Sequence, residues 1–358
     1  MLQQLGQGVA ITGSGAAIPT VSLTNHDLSQ IVETSDEWIV TRTGIRERRI
    51  AVPGQSLCEL ASIAGEKAIA MAGIAPEDID LIILATSTAD DLFGSASQIQ
   101  AKIGATKAVA FDLTAACSGF VFALVTGAQF IRNGVYRNVL LIGGDILSRW
   151  VDWSDRRTCI LFGDGAGAVV MQATDSVLYD SNSLLDTANA TLRDTANATL
   201  RDRFLGFEIR SDGSQNHYLN LSYKSEAKEL VEGVAINQGT FQPITMNGQE
   251  VYRFAVKRVP EVIEKALFRA NLTVDQIDWL ILHQANQRIL DAVAQRLNIP
   301  PEKVISNLAN YGNTSAASIP IALDEVVRVG KIKPGDTIAI AGFGAGLTYG
   351  AAIFQWGK

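Results

Sequence analysis

Three positions carry groups that can make and break thioesters. Cys117 lies in Leu113-Thr-Ala-Ala-Cys117-Ser-Gly-Phe120, where small residues permit a sharp turn from a strand into a helix. His283, one of three histidines, ends the apolar run Trp279-Leu-Ile-Leu-His283. Asn313 sits in the Gly/Ser-rich turn Asn310-Tyr-Gly-Asn313-Thr-Ser-Ala-Ala-Ser318. A thiol at a helix mouth meets free N–H groups and a partial positive charge, which lower its pKa and favour the nucleophilic thiolate. An imidazole and a carboxamide can donate hydrogen bonds to a developing oxyanion. Each residue alone also has a bland reading: an inert buried cysteine, a core histidine bonded to backbone, a turn asparagine. Cys58, in a helical pattern, and Cys159, in an apolar strand pattern, fit the inert reading. His26 and His217 lack polar company and read as structural.

The elements that position these residues repeat. Glu66–Ala85 aligns without a gap on Glu264–His283, eight of twenty positions being identical. Each copy reads as a helix end, a short loop and a buried strand. His283 holds the strand-end position that Ala85 holds in the first copy, and strand ends are where open α/β sheets put their chemistry. The same register sets Ala115, in the Cys117 turn, opposite Asn313. Apolar helices follow both turns, about 118–133 stopping at Gly134 and about 318–329 stopping at Gly330, glycines that suit left-handed caps. Two glycine-rich stretches also correspond, Leu161–Val170 and Ala341–Gly350. In the second, Gly342-Phe-Gly-Ala-Gly346 is a poor phosphate loop, because it opens a strand and lacks Lys-Ser/Thr. It reads better as a turn whose amides, near Ala345, form an oxyanion hole facing Cys117. The expected organisation is α/β with two pseudo-symmetric βαβαβ-type halves, 1–178 carrying the cysteine and 216–358 carrying histidine and asparagine. Between them, 179–215 connects the halves and holds a duplicated octapeptide, Asp186–Arg193 and Asp194–Arg201. It reads as a tolerated surface insertion. Its two Asn-Ala-Thr triplets match a glycosylation pattern that lacks a secretory context.

Composition narrows the class. With 47% apolar and 19% charged residues, the 358-residue chain has material for a large core. No apolar run is long enough to span a bilayer, and the polar start has no signal-peptide pattern. Three widely spaced cysteines argue against a disulfide framework or zinc site, and for a reducing, cytoplasmic setting. A net charge of −7 argues against nucleic acid.

Taken together, the three segments and Ser35-Asp-Glu-Trp38-Ile-Val-Thr-Arg42-Thr-Gly-Ile-Arg46 make the chain resemble the β-ketoacyl-acyl carrier protein synthase III family, initiating condensing enzymes of the thiolase superfamily. The resemblance covers nearly the whole chain. It implies a layered α/β/α/β/α thiolase-like fold and a Cys117–His283–Asn313 triad. It further implies decarboxylative condensation of an acyl-CoA, acetyl-CoA first among candidates, with malonyl-acyl carrier protein, without metal or redox cofactor. By matching, Trp38, Arg42, Arg156 and Asn286 would bind coenzyme A. Gln284, Ala285, Asn286, Gln287 and Arg288, with Arg253, would contact the carrier protein. Phe93 would help close the acyl pocket across a homodimer interface. An acidic carrier needs a local basic patch on this acidic chain, with candidates Arg42, Arg46, Arg48, Arg49, Arg253, Lys257, Arg258 and Arg288. The family usually has three glycines where this chain has Gly344-Ala345-Gly346, and the octapeptide is outside its pattern. Rival readings are a polyketide-type starter synthase or acyltransferase, a Cys-His-Asn hydrolase that would release free acid without malonyl thioester, and a non-catalytic carrier-binding subunit, which would lack the nucleophile.

Overall fold

A computed structural model of the chain describes residues 6–177 and 202–357. The duplicated octapeptide, and its expected role as a surface insertion, lie outside the described residues. In chain order the first part holds β1 (Gly6–Ala17), β2 (Val21–Thr24), α1 (Asn25–Leu28), α2 (Asp36–Thr43), β3 (Glu47–Ile50) and α3 (Leu57–Ala72). There follow β4 (Leu81–Ala85), α4 (Ala96–Ile103), β5 (Val109–Leu113), α5 (Gly119–Arg132), β6 (Asn138–Ile146) and β7 (Asp164–Val177). The second part holds β8 (Phe204–Ser211), β9 (Leu219–Asn220), β10 (Tyr223–Val231), β11 (Val234–Phe241), β12 (Thr245–Met246) and α6 (Gly248–Ala270). It ends with β13 (Trp279–Leu282), α7 (Gln287–Arg296), β14 (Val304–Ile305), α8 (Leu308–Tyr311), α9 (Ser318–Arg328), β15 (Thr337–Gly344) and β16 (Thr348–Gln355).

Two five-stranded sheets carry the fold, in the orders β1-β7-β6-β4-β5 and β8-β16-β15-β13-β14. The sequence repeat falls on the helix end, a 3-10 turn and the strand in both, α3 to β4 and α6 to β13. The pairings correspond too. β4 lies parallel to β5 and β6, and β13 parallel to β14 and β15. The two outer strands of each sheet then run antiparallel.

Both sheets are covered on both faces, which explains the continuous apolar strands. The period of two sends Leu81, Ile83 and Ala85 into the central layer and Ile82 and Leu84 towards α3. Likewise Ile281 faces the central layer while Leu280 and Leu282 pack with α6 and α7. The central layer is α5 and α9, sandwiched between the sheets and rich in buried residues along their first turns. The result is the five-layered α/β/α/β/α arrangement. Gly134 and Gly330 adopt φ of 71° and 70° just past these helices, as left-handed caps should.

One expectation needs correcting. Phe204–Ser211, assigned by sequence to the connecting segment, pairs with β16 from Phe354↔Phe204 to Thr348↔Ser211 and forms an edge of the second sheet. Its alternating burial from Phe204 to Ile209 is that of a strand packed on one face.

The sheets and central helices approach closely. A Cβ on Gly143, in β6, would lie 2.2 Å from the carbonyl oxygen of Ala316. Gly143→Ala therefore forces the two halves apart. A loss of about 1–3 kcal/mol is expected, read as a lower urea midpoint. Gly213→Ala, at a position with nothing within 4 Å, should leave the midpoint nearly unchanged.

Candidate active site

Two matched turns bring the chemistry together. After β5 the chain enters a 3-10 turn, Ala116–Ser118, and then α5. After Asn313 it enters a second 3-10 turn, Ser315–Ala317, and then α9. Each turn holds one non-glycine residue in the left-handed region, Ala116 at φ 47° and Ser315 at φ 53°, an uncommon conformation that surrounding packing must enforce. The Cys117 turn is tied down by Ser118 and Thr348, whose hydroxyls donate to the Ala115 carbonyl at 2.7 and 2.9 Å. Gly344 lies flat against it: a Cβ there would come within 2.6 Å of the Cys117 backbone nitrogen. His283, two residues after Ile281, shares that residue's inward parity.

Cys117, His283 and Asn313 all line one cavity of about 470 Å³, with Phe162, Phe343, Leu219 and Met246 in its walls. Trp38, Arg42, Arg156 and Arg288 also line it. All three catalytic candidates are buried. The donors are held from behind. His283 Nδ1 lies 2.7 Å from Ser318 Oγ, and that oxygen accepts from the Gln284 backbone N–H at 3.3 Å. With Ser318 donating to Nδ1, the imidazole carries its proton on Nε2. Phe343 packs edge-on to the ring at 5.3 Å. Asn313 Oδ1 accepts from the Ser315 N–H at 2.9 Å, which leaves the Nδ2 group as a donor. The Asn313 backbone is itself clamped to Leu161 and Gly163.

The electrostatics differ from expectation at the sulfur. Burial pushes the Cys117 thiol up to about 12, the Ser315 hydroxyl works against the rise, and the Asp145 carboxyl adds to it. Desolvation thus outweighs any help from the helix mouth, and the resting group is a thiol. Burial also holds His283 down to about 3, so the ring is neutral. Cys58 and Cys159 are pushed up to about 11 by burial and fit the inert reading. Cys159 lies in a turn rather than a strand.

At the mouth, the Arg42 and Arg156 guanidiniums lie 4.3 and 5.1 Å from the Trp38 ring centre. Asn286 caps α7 by accepting from the Arg288 N–H and donates to the Arg42 carbonyl at 3.0 Å. Arg288 is exposed and lies over Tyr252. Arg253 is exposed and pairs with Glu250, and Ala285 and Gln287 are half-buried beside them.

Other expected residues lie elsewhere. Gln284 is buried, its amide spent on Leu282, Ile305 and Asn307 backbone groups, so it has no surface to offer a carrier. Arg48 is fully buried, bonded to Leu23, Asn25 and Ile160, and drops out of any surface patch. Phe93 does not line the cavity of its own chain and is 98% exposed. Ala345 is half-buried in the turn after Gly344. Sequence reasoning did not single out Ser315, Ser318, Phe343 and Asp145. The serines were visible two and five residues past Asn313, but only the fold shows what they touch.

Because folding lowers the His283 pKa, its contribution favours the fold above about 6.5 and is lost as pH falls from there towards about 3. A ¹⁵N spectrum of the imidazole is expected to show a neutral ring protonated on Nε2 from about pH 5 to 8. A titration step near the ordinary histidine value would contradict this.

The comparisons with known proteins agree with the geometry. A family model described as 3-oxoacyl-[acyl-carrier-protein (ACP)] synthase III matches residues 111–193, and its C-terminal counterpart matches 267–356. A beta-ketoacyl-[acyl-carrier-protein] synthase III from Nostoc sp. is 70% identical, covering 98% of this chain and 99% of its own. One from Trichodesmium erythraeum is 66% identical, covering 98% of each. The crystal structure of 3-oxoacyl-[acyl-carrier-protein] synthase III from Aquifex aeolicus superposes with a TM-score of 0.82 at 41% identity, over 98% of this chain and 100% of that one. From its turns, its buried Cys-His-Asn cavity and this likeness along its length, the chain belongs to the β-ketoacyl-acyl carrier protein synthase III family.

Proposed function

We propose that Cys117 carries the acyl group and that His283 and Asn313 stabilise the enolate formed from the extender. The chain is an acyltransferase that initiates fatty-acid synthesis by condensation. One observation carries the residue assignment. Three buried groups meet in one cavity, and the two donors have their acceptor atoms tied back to Ser318 and the Ser315 amide.

Cys117 attacks the thioester carbonyl of an acyl-CoA, acetyl-CoA being the simplest starter. The oxyanion rests on backbone amides of Cys117 and about Ala345, and coenzyme A leaves. Malonyl-acyl carrier protein then enters. His283 Nε2–H and Asn313 Nδ2–H donate to its thioester carbonyl, so loss of carbon dioxide leaves a stabilised enolate. That carbanion attacks the acyl-enzyme, releasing a 3-oxoacyl carrier protein and free Cys117. A neutral His283 suits this role, since the ring donates a hydrogen bond without taking up a proton. Loss of carbon dioxide drives bond formation, and no step calls for a metal or redox cofactor.

The cation-rich mouth fits the anionic end of coenzyme A, with Trp38, Arg42 and Arg156 as its contacts. Arg253, Arg288 and the Ala285–Gln287 segment form the carrier-protein contact. Phe93 reaches into the acyl pocket of a second copy in a homodimer, a role its exposure suits. The three free cysteines fit a cytoplasmic setting, and no helix among the described residues is long and apolar enough to cross a membrane. A priming β-ketosynthase of the R1128 polyketide pathway shares the fold, with a TM-score of 0.84 at 30% identity. The far higher identity to the fatty-acid enzymes favours their reaction.

Cys117→Ala is expected to abolish acyl-enzyme formation, read by mass after incubation with acetyl-CoA. His283→Ala and Asn313→Ala should retain acylation but lose about a hundredfold or more in malonyl decarboxylation. Acylation lost with decarboxylation retained would reverse the roles.

Arg288→Glu should weaken use of the carrier-bound substrate far more than acyl-CoA, with the difference shrinking at high salt. Arg253→Glu should do less, because Glu250 already pairs with Arg253. Equal effects on both substrates would remove the patch.

A further inference from the structure

The condensation has an unanswered proton question. Acyl transfer takes a proton off Cys117, and condensation must put one back. Directly behind the sulfur is a buried polar pair that the mechanism above does not use. Ser315 Oγ lies 3.3 Å from Cys117 Sγ, and the same hydroxyl hydrogen-bonds the Asp145 carboxyl. Asp145, in β6, is fully buried. Its Oδ1 accepts from the Thr86 hydroxyl, the Ser87 N–H and the Thr88 hydroxyl at 3.1, 2.8 and 2.9 Å. Its Oδ2 accepts from the Ala316 N–H at 3.3 Å. Asp145 enters no ion pair with Lys or Arg among the described residues. A buried carboxyl without a counter-ion is costly, and a structure retains it where it serves a purpose.

A serine hydroxyl has one proton, and here two acceptors compete for it. With a Cys117 thiol, the S–H donates to Ser315 and Ser315 donates to Asp145. With a thiolate, the Ser315 proton turns to the sulfur. We propose that Ser315 and Asp145 form a proton relay beneath Cys117, Ser315 passing the thiol proton and Asp145 holding it between the two half-reactions. Ser315 touches the reacting sulfur; Asp145 acts through Ser315. Burial raises the Asp145 pKa above the usual carboxylate range, which suits a proton store.

The step balances. In acylation, the Cys117 sulfur bonds to the acyl carbon, and the carbon–sulfur bond to coenzyme A breaks with its electron pair leaving on sulfur. That thiolate takes a proton from solvent. The Cys117 proton moves to Ser315 Oγ as the Ser315 proton moves to Asp145. In condensation, the carbanion pair forms the carbon–carbon bond, and the acyl–Cys117 bond breaks with its pair returning to sulfur. The stored proton then returns through Ser315. One solvent proton is consumed per turnover, matching conversion of the malonyl carboxylate into carbon dioxide. The titratable groups facing the sulfur are Asp145 from β6 and His283 beyond β13, while Arg42, Arg156, Arg157 and Arg288 line the same cavity.

The proposal rests on Cys117 as the acylated residue, and the test separates the two. Cys117 is alkylated with iodoacetamide across pH, the label is located by mass, and turnover is measured on the same samples. Ser315→Ala removes a donor to the thiolate, so its alkylation profile should move up by about one pH unit or more, with turnover down about a hundredfold. Asp145→Asn removes a negative charge beside the sulfur, so its profile should move to lower pH while turnover still falls. A purely structural role would not split the two readouts in opposite directions. An unchanged Ser315→Ala profile overturns the relay, as does an Asp145→Asn enzyme with an easier thiolate and full turnover. If Asp145→Asn does not fold, Ser315→Ala decides alone. Acyl label on a residue other than Cys117 in the wild type overturns the underlying assignment instead.

Discussion

The site depends on two strand-to-helix turns, one from each half, being pressed against each other without water between them. Gly344 against the Cys117 backbone and Gly143 against Ala316 set the approach. The Asp145 carboxyl accepts from Thr86, Ser87 and Thr88 on one side and from Ala316 on the other. Neither half alone buries the cysteine or satisfies that carboxyl. Placement of the nucleophile is therefore a property of the interface between the repeats, and the central helices α5 and α9 supply the apolar packing that holds it closed.

Dryness sets the chemistry. It raises the Cys117 thiol to about 12 and lowers His283 to about 3, so both rest uncharged. A neutral cavity floor strengthens hydrogen bonds to a developing enolate, because no water competes for the donors. It also makes thiolate formation dependent on a nearby acceptor. Charge is kept instead at the mouth, where Arg42 and Arg156 flank Trp38 and Arg288 stays exposed. One cavity thus has an anion-binding entrance and an uncharged floor, which suits a substrate with a phosphate-rich carrier and a thioester tip.

Side chains near the triad divide into those that react and those that orient. Ser318 fixes the histidine tautomer, the Ser315 amide fixes the asparagine, and Phe343 covers the ring. Such support is what distinguishes a working constellation from three coincident polar residues.

Much of this was legible in the chain. The internal repeat located β4 and β13, period-two apolar strands implied sheets covered on both faces, and Gly134 and Gly330 marked the helix ends. Small residues around Cys117, a histidine ending an apolar strand and an asparagine on the matching turn named the triad, because those signals are local. What tertiary structure alone decided was solvent exclusion and contact across the halves. A helix-mouth cysteine reads as acidic until the fold removes its water. Gln284 and Arg48 look like surface groups in sequence, yet the fold buries them against backbone carbonyls and amides. Phe204–Ser211 finds a sheet only because β16 is there to pair with it. Asp145 has no local signal, since its donors come from positions up to 171 residues away in sequence. Burial and long-range hydrogen bonding depend on which segments meet, and that is fixed by packing rather than by neighbouring residues.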